Sequence, residues 1–389
     1  MSQTFTNLST TRYYRIAVST FYFIQGLVFA SWAGRIPDIQ KQLGLSEGAL
    51  GAILFAMPVG QLTATMVSGH IVNRLGSKRA LLIGALLYPP SLLLLGLATS
   101  VMQLLGGLFL FGVFGNLSNI SINTQAVGVE RLYRRSIMAS FHGLWSLAGF
   151  AGGIISAVMV SLDFSPFLHF CLVYAGCFIL FLLAKKSVVP RDFKPESVSK
   201  KRKKFARPDS YIVTLGLIAF ACMICEGTMF DWTGIYFEQV VEAPKSLTRM
   251  GYIAFMCTMA AGRFVSDGFV TRFGSKKILQ VSGIIIVAGM LLSVAWPQIV
   301  PATIGFLLVG IGTSSVVPLA YSLAGRSRNM APGSAMAMVT SIGFLGFLLG
   351  PPFIGFIAEY ANLRVSFALV ALLGLGTTLL ARRLDRMNR

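Results

Sequence analysis

The chain has 389 residues, of which 55% are hydrophobic and only 12% charged, with 40 glycines and a formal net charge of +19. That composition excludes an ordinary soluble domain, because apolar segments recur along nearly the whole length and a bilayer is the solvent that accepts them. The positive charge would suit nucleic acid, but the placement of the basic residues excludes that partner too.

A helix needs about 20 mostly apolar residues to cross a bilayer. Twelve segments qualify, centred near residues 25, 59, 89, 114, 150, 175, 224, 260, 287, 311, 346 and 373. The expected fold is therefore an all-α membrane protein with 12 transmembrane helices in two six-helix bundles. Residues 1–184 form the first bundle, 185–208 a basic cytoplasmic linker and 209–389 the second. With both termini in the cytoplasm, the segments on that side hold 27 of the 33 Lys and Arg residues. The others are Arg35, Lys41, Lys245, Arg249 and Arg364 at the outer ends and Arg263 inside helix 8, an asymmetry that follows the positive-inside rule. The segment Met1–Arg15 lacks the regions of a signal peptide, so helix 1 is expected to be retained.

Taken in chain order, helix 1 aligns Tyr22, Gln25, Phe29 and Trp32 on one face. After helix 2 comes a basic loop, Gly69-His-Ile-Val-Asn73-Arg74-Leu-Gly76-Ser-Lys78-Arg79. Helix 4 presents Gly112, Asn116, Asn119, Asn123 and Glu130 within about 60° of one face. Three amides in one stripe need partners that lipid cannot supply. Either they line a cavity for hydroxyl-rich or amide-bearing solutes, or they are polar packing between helices. Helix 5 aligns His142, Trp145, Gly149, Gly152 and Ser156. His142 is either a proton-coupling group or a hydrogen-bonded structural residue.

The linker carries Lys200-Lys-Arg-Lys-Lys, read as a topology anchor against anionic lipid. Helix 7 holds Glu226 and Asp231, the two acids well inside a span among the 14 in the chain. An ionisable group at that depth is a functional candidate by default. Five residues separate them, about 140° of rotation, so they share a face only if Gly227 loosens the turn. Each is read as a proton-coupling carboxyl, Glu226 before Asp231, or as an acid hydrogen-bonded between helices. On helix 8, Arg263 and Asp267 are spaced to neutralise each other or neighbours such as Arg326, as a gate or brace. Helix 10 places Gly310, Ser314 and Tyr321 on the stripe equivalent to that of helix 4. Helix 11 carries Gly350-Pro351-Pro352, which predicts close packing and a bend. All five cysteines lie in apolar spans, where they serve as small hydrophobes.

The two halves repeat each other at a spacing of 198 to 200 residues. Trp32 aligns with Trp232, Gly34 with Gly234, Gly51 with Gly251, Gly76-Ser-Lys-Arg with Gly274-Ser-Lys-Lys, Gly112 with Gly310 and Gly143 with Gly343. A duplicated bundle of this kind is how many secondary transporters are built, with the site between the repeats.

The loop from Gly69 to Arg79 resembles the Gly-x-x-x-Asp-Arg-x-Gly-Arg-basic signature of the major facilitator superfamily, with Asn73 in place of the usual Asp. A weaker copy, including Arg272, follows helix 8. A narrower likeness is carried by Ala30-Ser-Trp-Ala-Gly-Arg-Ile-Pro-Asp-Ile-Gln, Asn119-Ile-Ser-Ile-Asn123-Thr-Gln125-Ala, His142-Gly143-Leu144-Trp145-Ser146 and Glu226-Gly-Thr-Met-Phe-Asp231-Trp232. Together these resemble the bacterial MosC/YbjJ-like branch, near the fucose-permease-type sugar carriers. The branch often has Asp where this chain has Asn119, which shifts weight onto helix 7.

The resemblance implies a multi-pass protein of the bacterial inner membrane that moves sugar-like or cyclitol compounds. The sequence supports a secondary active transporter, proton-coupled and monomeric, with a small polar solute and protons as its partners. Its solute side chains are expected to include Tyr22, Gln25, Trp32, Asn116, Asn119, Asn123, Trp145, Trp232, Ser314 and Tyr321. A proton-linked efflux antiporter and a non-transporting sensor are the alternatives. The chain contains no nucleotide-binding loop, metal-ligand cluster or nucleophile constellation, so neither a cofactor nor an enzymatic reaction is expected.

Overall fold

Prolines mark several of the helix breaks. The computed structural model describes residues 8–133, 137–190, 210–327, 330 and 332–387, and among these the regular structure is helical. α1 (Leu8–Ala33) gives way to α2 (Ile36–Gln42), which carries Pro37 in its first turn, where the missing N–H is not needed. The span expected around residue 59 is divided into α3 (Glu47–Leu54) and α4 (Ala56–Leu75). Pro58 has no N–H to donate to the Leu54 carbonyl, four residues earlier. α5 (Ser77–Gly96), α6 (Val101–Tyr133), α7 (Met138–Ser161) and α8 (Pro166–Ala184) follow.

In the second half, α9 (Ser210–Asp231) breaks at Trp232 into α10 (Thr233–Gln239), as α1 breaks just past Trp32. α11 (Met250–Phe273) and α12 (Ser275–Ala295) precede α13 (Ile299–Thr313) and α14 (Val316–Ala324). These last two are divided because Pro318 cannot donate to the Ser314 carbonyl. α15 (Pro332–Tyr360) runs uninterrupted through Pro351 and Pro352, and α16 (Leu363–Met387) closes the described chain.

Eleven helices among the described residues are long and apolar enough to cross a membrane. The expected twelfth, α11, has 24 residues but is not one of the eleven; Arg263, Asp267 and Arg272 lie in its second half. The outward faces agree with a lipid solvent. Along α8, Leu168, Leu172, Ile179 and Leu183 fall on one face and all are exposed, an arrangement that water would not tolerate.

The chain packs as two units, residues 1–43 with 56–198 and residues 44–55 with 199–389. The 185–208 linker expected between them lies largely outside the described residues. Its start is held by the first unit, where Gln125 Nε2 donates to Ser77 Oγ (2.6 Å) and to the Val189 carbonyl (3.1 Å), and the Val189 N–H donates back to Oε1 (2.9 Å). In the second unit α3 packs on α15. The Glu359 carboxylate accepts from the Ser46 hydroxyl and the Gly48 N–H, each at 2.7 Å, and Ser46 caps α3 through the Ala49 N–H.

The repeat is visible in the backbone. Gly76 (φ +81°) and Gly274 (φ +79°) each precede a helix in a conformation that side chains with a Cβ avoid. A methyl on Gly112 would overlap the Met57 carbonyl of α4, and one on Gly310 would overlap the Phe255 carbonyl of α11, the same contact in both units. Gly274→Ala should lower stability by about 1–3 kcal/mol through backbone strain alone, since the space around it is open. Gly112→Ala should cost a similar ~1–3 kcal/mol by overpacking. Gly69→Ala, helical and with nothing nearby, should be neutral or stabilising by up to about 1 kcal/mol. Thermal unfolding of the purified variants in one detergent would show this order.

Candidate functional site

In the first unit α1, α6 and α7 bring their polar stripes together. Beyond Arg12 and Arg15 in its first turns, α1 is apolar apart from Tyr22, Gln25 and a few hydroxyls, so these must find partners on neighbouring helices. The Tyr22 hydroxyl donates to Asn123 Oδ1 (2.8 Å), and Asn123 Nδ2 donates to Asn119 Oδ1 (2.7 Å) and to the Asn119 carbonyl (2.8 Å). The Tyr22 ring stacks on Phe141 (5.5 Å, 9°) and meets His142 edge-on (5.3 Å, 71°). One turn further along α1, Gln25 Nε2 reaches the Gly115 carbonyl at 3.4 Å, and beyond it Phe29 sits 5.8 Å from Trp145.

Tyr22 is buried, Asn123 and Trp145 half-buried, and Asn119 and His142 exposed, so the chain of hydrogen bonds runs from the interior to an accessible face. Asn116 Nδ2 donates to Thr65 Oγ1 of α4 (3.1 Å), while its buried Oδ1 has no partner among the described residues. That face offers amide and phenol groups, an imidazole and an indole ring, the mixture that recognises hydroxyl-bearing solutes.

The second unit holds the carboxyls. α9 is continuous through Gly227, so Glu226 and Asp231 point to different surroundings, and both are buried. Glu226 Oε1 accepts from Cys222 Sγ at 3.7 Å, and the positive charge of Arg263 on α11 acts on it. The Glu226 charge also reaches Tyr321 of α14, whose hydroxyl is hydrogen-bonded to Thr340. Asp231 instead lies near the phenol of Tyr252, whose buried hydroxyl has no hydrogen-bond partner among the described residues.

The remaining sequence candidates are dispersed. Trp32 and Trp232 are wholly buried, each with an indole N–H that has no partner among the described residues. Ser314 is buried and donates to the Ile311 carbonyl. Gly69 is helical; Asn73, Arg74 and Arg79 are exposed and Lys78 is half-buried. Glu130 accepts from the Ile137 and Met138 N–H groups (2.8 and 2.9 Å), capping α7. Arg272 lies over the Phe273 ring (5.3 Å), and Arg326 is exposed. The Asp267 side chain lies outside the described residues, and with it the expected Arg263–Asp267 pair.

Sequence reading missed two polar neighbours. Tyr252 carries no motif. Arg35 was placed at an outer end as a topology charge but is buried, donating from Nε to His169 Nδ1 (3.1 Å), from Nη1 to Asp38 (3.3 Å) and from Nη2 to the Phe164 carbonyl (2.8 Å). The Arg-Ile-Pro-Asp spacing was the available signal for the Asp38 partner. Among the described residues no group of three His, Cys, Asp or Glu side chains converges as a metal site.

Helices that expose leucine to lipid and collect amides, a phenol and an imidazole on one inner stripe define a multi-pass membrane carrier. The chain belongs to the Major Facilitator Superfamily, whose family model matches residues 18–332 and 253–388. It is 30% identical to an uncharacterized MFS-type transporter of Yersinia pestis over 94% of each chain. It is 28% identical to the membrane protein MosC of Rhizobium meliloti, over 92% of this chain and 87% of that one. A crystal structure of a D-xylose-proton symporter shares the fold, with a TM-score of 0.75 at 14% identity, covering 97% of this chain and 98% of that one. The protein is thus a small-molecule transporter of the bacterial inner membrane and not an enzyme.

Tyr22→Phe should remove the hydroxyl that donates to Asn123 Oδ1 while keeping the ring stack on Phe141, lowering stability by about 0.5–1.5 kcal/mol. Thermal unfolding beside Phe141→Leu, which removes the stack instead, separates the two contributions.

Proposed function

We propose that the protein moves a small polar solute, a sugar, polyol or cyclitol, across the inner membrane by alternating access and couples that movement to protons in symport. The carrying observation is the Tyr22–Asn123–Asn119 hydrogen-bond chain, which ends on the exposed amide of Asn119, with His142 against the Tyr22 ring and Trp145 near Phe29 along the same helices. An amide both donates and accepts, so Asn119 can exchange its protein partner for a sugar hydroxyl without leaving a buried group unsatisfied. Gln25, Asn116 and Trp145 extend the same wall, the indole offering an apolar face to a pyranose or cyclitol ring. Among the expected solute residues, Trp32 and Trp232 are packing within their own units.

Glu226 is the coupling residue in this reading. Its carboxyl can exist charged or neutral, and the change alters what the Arg263 guanidinium and Tyr321 feel. Asp231, beside the unsatisfied Tyr252 hydroxyl, is the second candidate and His142 the third. The protein works as a monomer with both termini in the cytoplasm.

In proteoliposomes carrying an internal pH-sensitive dye, a polyhydroxyl solute should drive proton entry with the wild type. Glu226→Gln should abolish the proton signal and retain solute exchange. Equal proton movement by the variant would remove Glu226 from the mechanism, and a response to cationic drugs alone would point to efflux. Asn119→Ala and Asn123→Ala should each raise the half-saturating solute concentration about 5- to 100-fold, the loss of one or two hydrogen bonds to solute. Unchanged half-saturation in both would place the solute elsewhere.

A further inference from the structure

A cavity of about 540 Å³ in the first unit is separate from the amide stripe. It is lined by Arg12, Arg15, Ile16, Ser19, Thr20 and Phe23 of α1, with Tyr133, Leu144 and Leu180 from α6, α7 and α8. The α1 residues follow the i, i+3, i+4, i+7, i+8, i+11 pattern, so they form one face of the helix. Along that face the chemistry changes in order: two guanidiniums, then two hydroxyls, then an aromatic ring, over a rise of about 16 Å. None of the lining residues is acidic, and among the described residues neither arginine is ion-paired. Arg15 is held over the Tyr133 ring at 5.4 Å, which fixes its guanidinium at the mouth and leaves its N–H edge available. The transmembrane span begins at Thr11, so both arginines sit in its first turns, at the depth of lipid headgroups, and exposed Ile16 opens the cavity sideways.

We infer that this groove binds one anionic phospholipid, its phosphodiester between Arg12 and Arg15 and an acyl chain running past Ile16 and Phe23 against Leu144 and Leu180. A soluble phosphate would use the arginines and leave the graded apolar wall empty. A zwitterionic lipid would fill the wall but bring its own cation to the arginines. An anionic amphiphile satisfies both ends, because the guanidinium fork matches phosphate oxygens and lipid chains match the apolar wall. The occupant ties α1 to α6, α7 and α8 at the end of the bundle opposite Trp32.

The test uses the full-length purified protein, delipidated in detergent, with binding of short-chain phosphatidylglycerol read by native mass spectrometry. Dioctanoyl-phosphatidylglycerol should bind with one tight site per chain. The double variant Arg12→Gln/Arg15→Gln should bind it roughly ten- to thirty-fold more weakly, the effect of two interfacial cations. Ser19→Trp, which fills the groove without changing its charge, should also lose the tight site. Removing two exposed cations elsewhere, Arg382→Gln/Arg383→Gln, should leave it intact. An equal loss in that control, or retention of the site in Ser19→Trp, would reduce the effect to general attraction between a basic surface and anionic lipid and overturn the proposal. Dioctanoyl-phosphatidylcholine or inorganic phosphate binding as tightly as phosphatidylglycerol would overturn it as well.

Discussion

Where a helix crosses lipid, a polar group has no solvent to fall back on, and this one constraint organises the molecule. Backbone groups are satisfied within the helices, and interior hydroxyls are folded back onto them: Ser31 donates to the Leu27 carbonyl, Ser121 to Leu117 and Thr228 to Ile224. Lipid also removes the hydrophobic drive for helix to meet helix, so association must come from close packing. Hence the glycines at the crossings of α4 with α6 and of α11 with α13, where backbone touches backbone. Their recurrence at the same place in both units shows that the duplication preserves a packing geometry.

The same constraint makes each interior charge conspicuous. Arg35 is tolerated because imidazole, carboxylate and carbonyl together take up its three faces, which fastens α1 and α2 to the start of α8. Glu226 and Arg263 are a different arrangement: the acid accepts from the weak thiol donor of Cys222, and the guanidinium acts on it through its charge. A rigid brace has every donor matched in fixed geometry. A group that must change protonation state during a cycle needs partners that accept either state, and a thiol with a neighbouring charge is closer to that.

Most of the architecture could be read from local pattern: the apolar spans, the repeat and the glycine turns at Gly76 and Gly274, each set by a few neighbouring residues. The helix breaks were also written in Pro37, Pro58 and Pro318, though length alone had suggested unbroken spans at 59 and 311. Partners across the bundle were not legible. Helical phase placed Tyr22 and Asn123 on inward faces, but which inward residue meets which depends on the register of helices 101 positions apart. Duplication was an ambiguous guide for the same reason. Trp32 and Trp232 repeat and lie wholly buried, which is what a conserved crossing geometry would produce with or without a solute.

The repeat keeps the scaffold and divides the chemistry. Offset by 200, Tyr22 corresponds to Cys222, Gln25 to Cys225 and Gly26 to Glu226; offset by 198, Asn116 corresponds to Ser314, Asn119 to Val317 and Asn123 to Tyr321. In the first copy position 26 must be small, because a side chain there would overlap the Trp145 carbonyl of α7. In the second copy α9 has room at that position for a carboxyl, with Arg263 to answer it. A carboxyl could not replace Gly26 without separating α1 from α7, and on α14 Val317 stands in place of Asn119. The first unit thereby carries an amide stripe where the second carries a buried carboxyl, a difference that follows which helix crossings are tight and which leave space.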